Sequence, residues 1–360
     1  MRWGLGVALL VLGLVLPGTG HGQLQLGGPI QVMTASPTEQ WIWQRLRAGE
    51  IADLNARCGV TLDPRANDDA RWQDPCRQVS AKFLEWLLTG PDWKVAPAYR
   101  GVRIFGARLA DRLDLRAAEV KAEVWLDQSR FEREVWLNRA HFAGLLSLSG
   151  SVFRNGLSGD ALQVGGDMFL RSGAVVTGGV VRLVGASIAG NLEMDNARFE
   201  AGIIAGALKL GGSLFLSNGA VVTGGVVNLV GASIAGTLDM TNARFEAGII
   251  ADALKLGGSL FLRNGAVVTG GVVNLRGASI AGTLDMANAR FEAGINAYSL
   301  KLGGDLSLRG SNFTQAPSVI AAEIGRVIDL TGATLPGLDL SGTVVNGDLR
   351  LSVGDRAVPT

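Results

Sequence analysis

Residues 211–256 read GGSLFLSNGAVVTGGVVNLVGASIAGTLDMTNARFEAGIIADALKL, and residues 257–302 repeat that stretch with six changes, among them Ser217/Arg263, Val230/Arg276 and Asp252/Tyr298. Gly165–Leu210 is a third, more divergent copy of the same 46-residue unit. A fixed period of this length predicts a solenoid or similar array, in which each repeat buries its apolar face only against its neighbours. It also bears on function. A catalytic site is a unique constellation, whereas a near-perfect repeat multiplies every residue it contains, so the copies speak to architecture more than to chemistry.

Inside the unit, Ala220, Ala243 and Ala266 recur every 23 residues, with Ala232 and Ala253 between them, so one unit divides into two coils. The expected inward set is Ala232, Ile234, Leu238, Met240, Ala243 and Phe245, with their equivalents one repeat away. Asn218-Gly219, Asn264-Gly265 and Gly178-Gly179 supply turn residues suited to positive φ. Upstream, FGARLADRLDL, RAAEVKAEVWL, DQSRFEREVWL and NRAHFAGLLSL keep an 11-residue rhythm from Gly101 onward. Their apolar centres Leu109, Leu115, Val120, Leu126, Phe131, Leu137, Phe142 and Leu148 alternate spacings of six and five. An amphipathic helix needs apolar residues at i, i+3, i+4 and i+7, which this pattern denies; pairs at i and i+2 instead share one face of a short strand. The expected fold is an all-β solenoid, a single-stranded parallel β-helix of about 22–23 residues per coil, with a small N-terminal α-helical cap. Roughly eleven coils between residues 101 and 350, with strands about 4.8 Å apart, make a rod about 50 Å long.

Small-x-apolar units about five residues apart, such as GARLADRLDL, resemble the pentapeptide-repeat family over about residues 101–350. That resemblance implies a right-handed β-helix with four short faces per coil. The strict pentapeptide has a five-residue period, whereas alternate units here carry an extra residue. The layout of helical head and coils also resembles long bacterial β-solenoid proteins sometimes labelled membrane-associated oxidoreductases; no residues of this chain support that label.

Composition narrows the field further. The 33 basic and 32 acidic side chains nearly cancel, which removes the electrostatic case for a nucleic-acid binder. Fifty-one glycines among 360 residues, without a triplet period, indicate turns. Seven of the ten prolines lie at or before Pro97 and the next is Pro317. A proline-free span between them fits uninterrupted strand stacking, because proline is excluded from central strands.

Met1–Gly22 carries Arg2, the apolar run Gly4–Leu16 and small residues at Gly20 and Gly22. This is the layout of a secretory signal peptide and is short for a membrane span, the alternative being an uncleaved anchor. His21 would leave with it, so His141 would be the one histidine of the mature chain. In the oxidising compartment that export implies, Cys58 and Cys76 are expected to pair; a metal site would need further His or Cys ligands nearby, and the sequence has none there. Residues 23–100 read as a head. Ser36-Pro37-Thr38-Glu39 is a capping-box start to a helix through TEQWIWQRLRAGEIADL that Gly49 weakens or ends, and Arg77–Thr89 reads as a second amphipathic helix. Trp41, Trp43, Trp72, Trp86 and Trp93 crowd this region, either as an aromatic groove or as a compact cap over the strand edges that a solenoid end exposes. The β-helix is expected over 101–351, with a tail at 352–360.

Outward residues should form ladders. Arg198, Arg244 and Arg290 are expected every second coil beside Glu200, Glu246 and Glu292, a self-neutralising row. Trp125 and Trp136 lie between inward neighbours and should point outward, either to stack on a ligand such as a sugar ring or to be covered by the head. His141 is also outward, and Asp239 and Asp285 recur with the repeat as ladder residues. There is no phosphate-binding glycine loop ahead of a helix, no nucleophile elbow and no paired CxxC, so no catalytic, cofactor-binding or metal-binding residue is assigned. The preferred function is a non-enzymatic exported scaffold or protein-interaction module of a bacterial envelope, with catalysis left open. Its partner is an unknown protein or envelope component, without cofactor or nucleic acid, and end-to-end self-association through the C-terminal coil is a further expectation. The alternatives are a carbohydrate-binding or carbohydrate-cleaving β-helix and a DNA mimic; the export signal and balanced charge disfavour the latter. Specific contacts are sought where copies differ, as at Tyr298, or at the ends.

Overall fold

The computed structural model describes residues 35–66, 69–90 and 100–352. The expected signal at 1–22, Trp93 and the tail beyond Ser352 lie outside the described residues.

From Val102 the chain winds as a parallel β-solenoid of about eleven turns. Each turn contributes a two- to four-residue strand to each of four parallel sheets, here called faces A to D in the order the chain visits them. Face A begins at Val102–Phe105, face B at Arg108–Leu109, face C with the bridge at Asp114, and face D at Glu119–Val120. Strands this short follow from the sequence: each side of the coil holds about three residues, two inward around one outward on faces A and C and the reverse on faces B and D.

Strand starts alternate six and five residues apart, as at Val124, Arg130, Val135, His141 and Leu146, and this has a backbone cause. At every corner from A to B and from C to D at least one residue takes a left-handed conformation, for example Gln128 at φ 50°, Arg139 at φ 58°, Asn242 at φ 56° and Ala253 at φ 54°. The corners from B to C and from D to A are mostly tighter and take one residue fewer. In the repeats, successive face-A strands start at Leu192, Leu214, Leu238, Leu260 and Leu284, so coils of 22 and 24 residues alternate. The longer coil carries one extra residue at the A–B corner, where Asn218 and Gly219 are both left-handed at φ 53° and 84°, and one at the B–C corner, where Gly224 sits at φ 64°. The 46-residue unit is therefore one long and one short coil. A glycine is needed at the D–A corner for another reason: a Cβ on Gly257 would lie 2.3 Å from the Ala235 carbonyl oxygen of the coil before.

Inside, the expected inward residues Ala232, Ile234, Leu238, Met240, Ala243 and Phe245 are all buried in one continuous apolar core that runs from the head to Ile328. Phe131 stacks on Phe153 at 4.7 Å and Phe291 on Phe313 at 4.6 Å, one coil apart under face B. Backbone groups of successive coils pair directly, and at the D–A corner side chains complete the bonding. Asp167 Oδ1 accepts the Asn191 N–H at 2.7 Å, Asn191 Oδ1 accepts from Ser213 at 2.8 Å, and Ser213 Oγ accepts from Thr237 at 3.0 Å. This column of Asp, Asn, Ser and Thr thus satisfies N–H groups that a tight corner leaves over.

The head holds α1 (Pro37–Arg47), α2 (Leu54–Arg57), α3 (Asp69–Trp72) and α4 (Ala81–Thr89). The capping box is formed: Ser36 Oγ accepts the Glu39 N–H at 3.2 Å, and Glu39 accepts the Ser36 N–H at 2.7 Å. Two details differ from the sequence expectation. Ala52–Asp53 does not continue the first helix; after Gly49 at φ 73° it becomes a strand paired with Ile104–Phe105. The second helix starts at Ala81 with Ser80 as its cap, because Val79 is used as an extended segment whose N–H bonds the Arg108 carbonyl at 3.0 Å. Both departures serve the same end. Ala52–Asp53 covers the edge of face A, Gln78 pairs with Arg108 at the edge of face B, and Glu85 of α4 accepts the Asp114 N–H at 2.9 Å at the edge of face C. Cys58 and Cys76 are joined as a disulfide, their Cα atoms 5.9 Å apart, which ties α2 to the segment that leads into α4.

Candidate functional site

The junction of head and coils is built around a buried cation stack. Arg77 and Arg130, both fully buried, lie over the Trp72 ring at 5.2 and 5.3 Å. Arg77 Nη1 donates to Asn55 Oδ1 at 2.8 Å and to the Gly106 carbonyl at 3.1 Å, and Nη2 donates to the Val60 carbonyl. Burial holds the Arg77 guanidinium below its ordinary range, partly offset by Asp74 and Asp53. Every partner named here belongs to the head or the first two coils, so this cluster is a clasp between them. A small void of ≈ 10 Å³ under α4, lined by Leu88, Leu113, Leu126 and other aliphatic residues together with Phe131 and Phe142, has no polar group to orient a ligand.

Trp125 and Trp136 are half-buried and outward, and they belong to different faces: Trp125 follows Val124 on face A, and Trp136 follows Val135 on face C. They do not form one surface. Arginines of the preceding turn lie over both rings. The Arg103 guanidinium is 4.4 Å from the Trp125 centroid, and Arg112 and Arg116 lie 3.9 and 4.1 Å from that of Trp136. Such stacks are worth about 0.5–1 kcal/mol at exposed sites. His141 is outward on face D and its Nδ1 lies 2.8 Å from Glu119 one coil below.

The expected arginine row is present on face B. Register places Arg198, Arg244 and Arg290 on alternate coils with Val221 and Val267 between them, and each arginine pairs with the glutamate two residues on at 3.0, 3.2 and 3.0 Å. Exposed pairs of this kind add little stability but leave the row neutral.

Two further columns escaped the sequence reading. On face A the outward position of Trp125 is occupied two, four and six coils later by Phe169, Phe215 and Phe261, with Ser147, Glu193 and Asp239 on the intervening rungs. Arg171 stacks on Phe169 at 4.1 Å and pairs with Glu193; Arg263 stacks on Phe261 at 4.2 Å and pairs with Asp285 at 2.7 Å. In the middle copy Ser217 replaces this arginine and bonds Asp195 instead. On face D the outward column reads Gln163, Ser187, Lys209, Ser233, Lys255, Ser279 and Lys301. The rule that placed Trp125 outward, a residue between two inward aliphatics, applies equally to Phe215 between Leu214 and Leu216 and would have found the first column. Among the described residues no group of three or more His, Cys, Asp or Glu could hold a metal ion, and no helix is long and apolar enough to cross a membrane. The chain matches no protein-family model, no curated protein and no solved structure.

Proposed function

We propose that this chain is an exported, non-enzymatic β-helical scaffold of a bacterial envelope, whose flat faces dock a protein or another envelope component. One observation carries this reading: each outward position recurs on alternate coils, as Arg198/Arg244/Arg290, Lys209/Lys255/Lys301 and Phe169/Phe215/Phe261, so solvent meets periodic walls. The signal-like layout of Met1–Gly22 and the Cys58–Cys76 disulfide support export, and the six-and-five rhythm supports kinship with pentapeptide-repeat β-helices.

A photo-reactive residue placed in cells at Phe215, Arg244, Asn274 or Lys255, one outward position on each face, tests it. A discrete adduct from at least one face, absent from the inward control Leu254, is the expected result. Equal products from all five positions, or none from any, would sink the reading. The face-A aromatic column favours one second reading, a carbohydrate-binding wall; sugar binding that is lost in Trp125→Ala is its signature.

A further inference from the structure

We propose that face D is a docking strip for a linear polyanion of the acidic-polysaccharide class, laid along the solenoid axis over Lys209, Lys255 and Lys301. The ligand class rests on the exported-scaffold reading above. The faces differ in how their charges are matched. On face B every repeated arginine has a glutamate in its own strand, and on face A Arg171 and Arg263 are matched by carboxylates of the next coil. On face D, Lys209 and Lys255 hold no carboxylate among the described residues, and Lys301 reaches Glu323 only at 3.8 Å between two largely exposed side chains. Carboxylates stand in this column only at its ends, Glu119 beside His141 and Glu323 beside Lys301.

The strip has a shape as well as a charge. Between the lysines the outward residues are Ser233 and Ser279, with Ser187 just before Lys209, hydroxyls that can donate or accept. Beside the column, two residues after each outward position, run Ala189, Gly211, Ala235, Gly257, Ala281 and Gly303, all exposed and too small to block an approaching chain. At the corner on the other flank, Asp252 caps the Arg276 N–H at 3.1 Å, and Tyr298 is 48% exposed.

Spacing then selects the ligand. Lysines on alternate rungs are about 9.6 Å apart, two strand spacings. In an extended 1,4-linked uronate chain successive residues face opposite ways, so carboxylates return to one side every second sugar, a span close to two rungs. A nucleic-acid strand presents a charge about every 3.4 Å, roughly three per lysine, so most of its phosphates would lie unmatched along the strip. Because each 46-residue copy adds one lysine, the contacts are multivalent and their number is set by the copy number.

Titration of the full oxidised chain with linear polygalacturonate tests the proposal. Binding that weakens with added salt is expected, falling about tenfold in Lys209→Gln/Lys255→Gln/Lys301→Gln, the sum of three exposed ion pairs. Arg198→Gln/Arg244→Gln/Arg290→Gln removes equal charge from face B and should change binding by less than about twofold. Equal loss in both triple variants would mean that only net charge matters and would overturn the strip. So would absence of binding, equal binding of neutral dextran or of single-stranded DNA, or attachment to anionic vesicles that polygalacturonate does not displace. Circular dichroism checks that each variant is folded, and Lys255→Glu alone gives the same comparison should the triple variant misfold. A chain found in the cytoplasm would sink the exported scaffold while leaving this titration unaffected; a failed titration sinks the strip alone.

Discussion

Glu39 in the first turn of α1 accepts a hydrogen bond from Ser80 Oγ at 2.7 Å and from the Ser80 N–H at 2.9 Å, while its other oxygen takes the Ser36 N–H. One buried carboxylate therefore joins the N-termini of the two long head helices, Glu39 and Ser80 being 41 residues apart in sequence. The positive ends of both helix dipoles face it, which suits a negative charge.

Glu39→Ala should consequently cost more than loss of a single cap. Ser36→Ala is expected to remove about 1 kcal/mol, and Glu39→Ala about 2–3 kcal/mol because it strands buried donors that bonded to a charge. Urea melts followed by tryptophan fluorescence, which reports the head and the coils beside it, measure both; equal losses would show that the link to Ser80 contributes nothing.

Cutting the Cys58–Cys76 disulfide should loosen the same region. The bond closes a segment with a sequence separation of 18, and its loss in Cys58→Ser/Cys76→Ser is expected to cost about 3 kcal/mol. A melt recorded with and without reductant checks this. Wild type should lose stability on reduction, and the double variant should be indifferent to it.

The head shields strand edges, so removing it should change association more than secondary structure. A chain beginning at Arg100 bares the edges at Val102–Phe105 and Arg108–Leu109 that Ala52–Asp53 and Gln78 cover. Exposed parallel edges recruit further strands. Size-exclusion chromatography should show this chain as oligomers or aggregate while its β circular dichroism persists; a clean monomer would mean that the head has another purpose.

Asp127 provides a pH signature. Burial pushes its carboxyl above the ordinary value of 3.8, against bonds from Ser147 Oγ at 2.6 Å and the Ser149 N–H at 2.9 Å and the pull of Arg171. The folded state thus holds this proton more tightly than the unfolded chain does. Stability from this group is greatest below the ordinary value and falls as pH rises through the raised one. Both donors reach the same oxygen, Oδ1, which an amide retains. Asp127→Asn should therefore melt above wild type at pH 7, with the gap closing as pH falls below the ordinary carboxylate range.

Core substitutions should act locally and strongly. Phe245→Ala empties an inward position that is 1% exposed and is expected to cost about 3–5 kcal/mol. Because each coil touches mainly its neighbours, limited proteolysis should cut within one or two coils of residue 245 rather than throughout the rod. Uniform cleavage would contradict that locality.

Much of this protein is legible in its sequence because the coil is a local rule applied many times. The apolar residues Leu109, Leu115, Val120 and Leu126 are each inward for the same reason, so spacing alone gives the strands, the period and the outward direction of Trp125 and Trp136. The capping box at Ser36 and Glu39 is equally local. What the sequence could not decide is which distant coils or segments meet. Ala52 has nothing in its own neighbourhood that makes it a strand; the unpaired edge at Ile104 does. Trp125 and Trp136, eleven residues apart and alike in setting, fall on opposite faces because two corners intervene, while Phe169, Phe215 and Phe261 align with Trp125 across whole turns. The bare charge of Lys209 and Lys255 is likewise visible only once the faces are assembled, since a salt bridge depends on neighbours one coil away rather than one residue away. Periodicity fixes what each residue does within its coil; the winding of the coils decides what stands beside it.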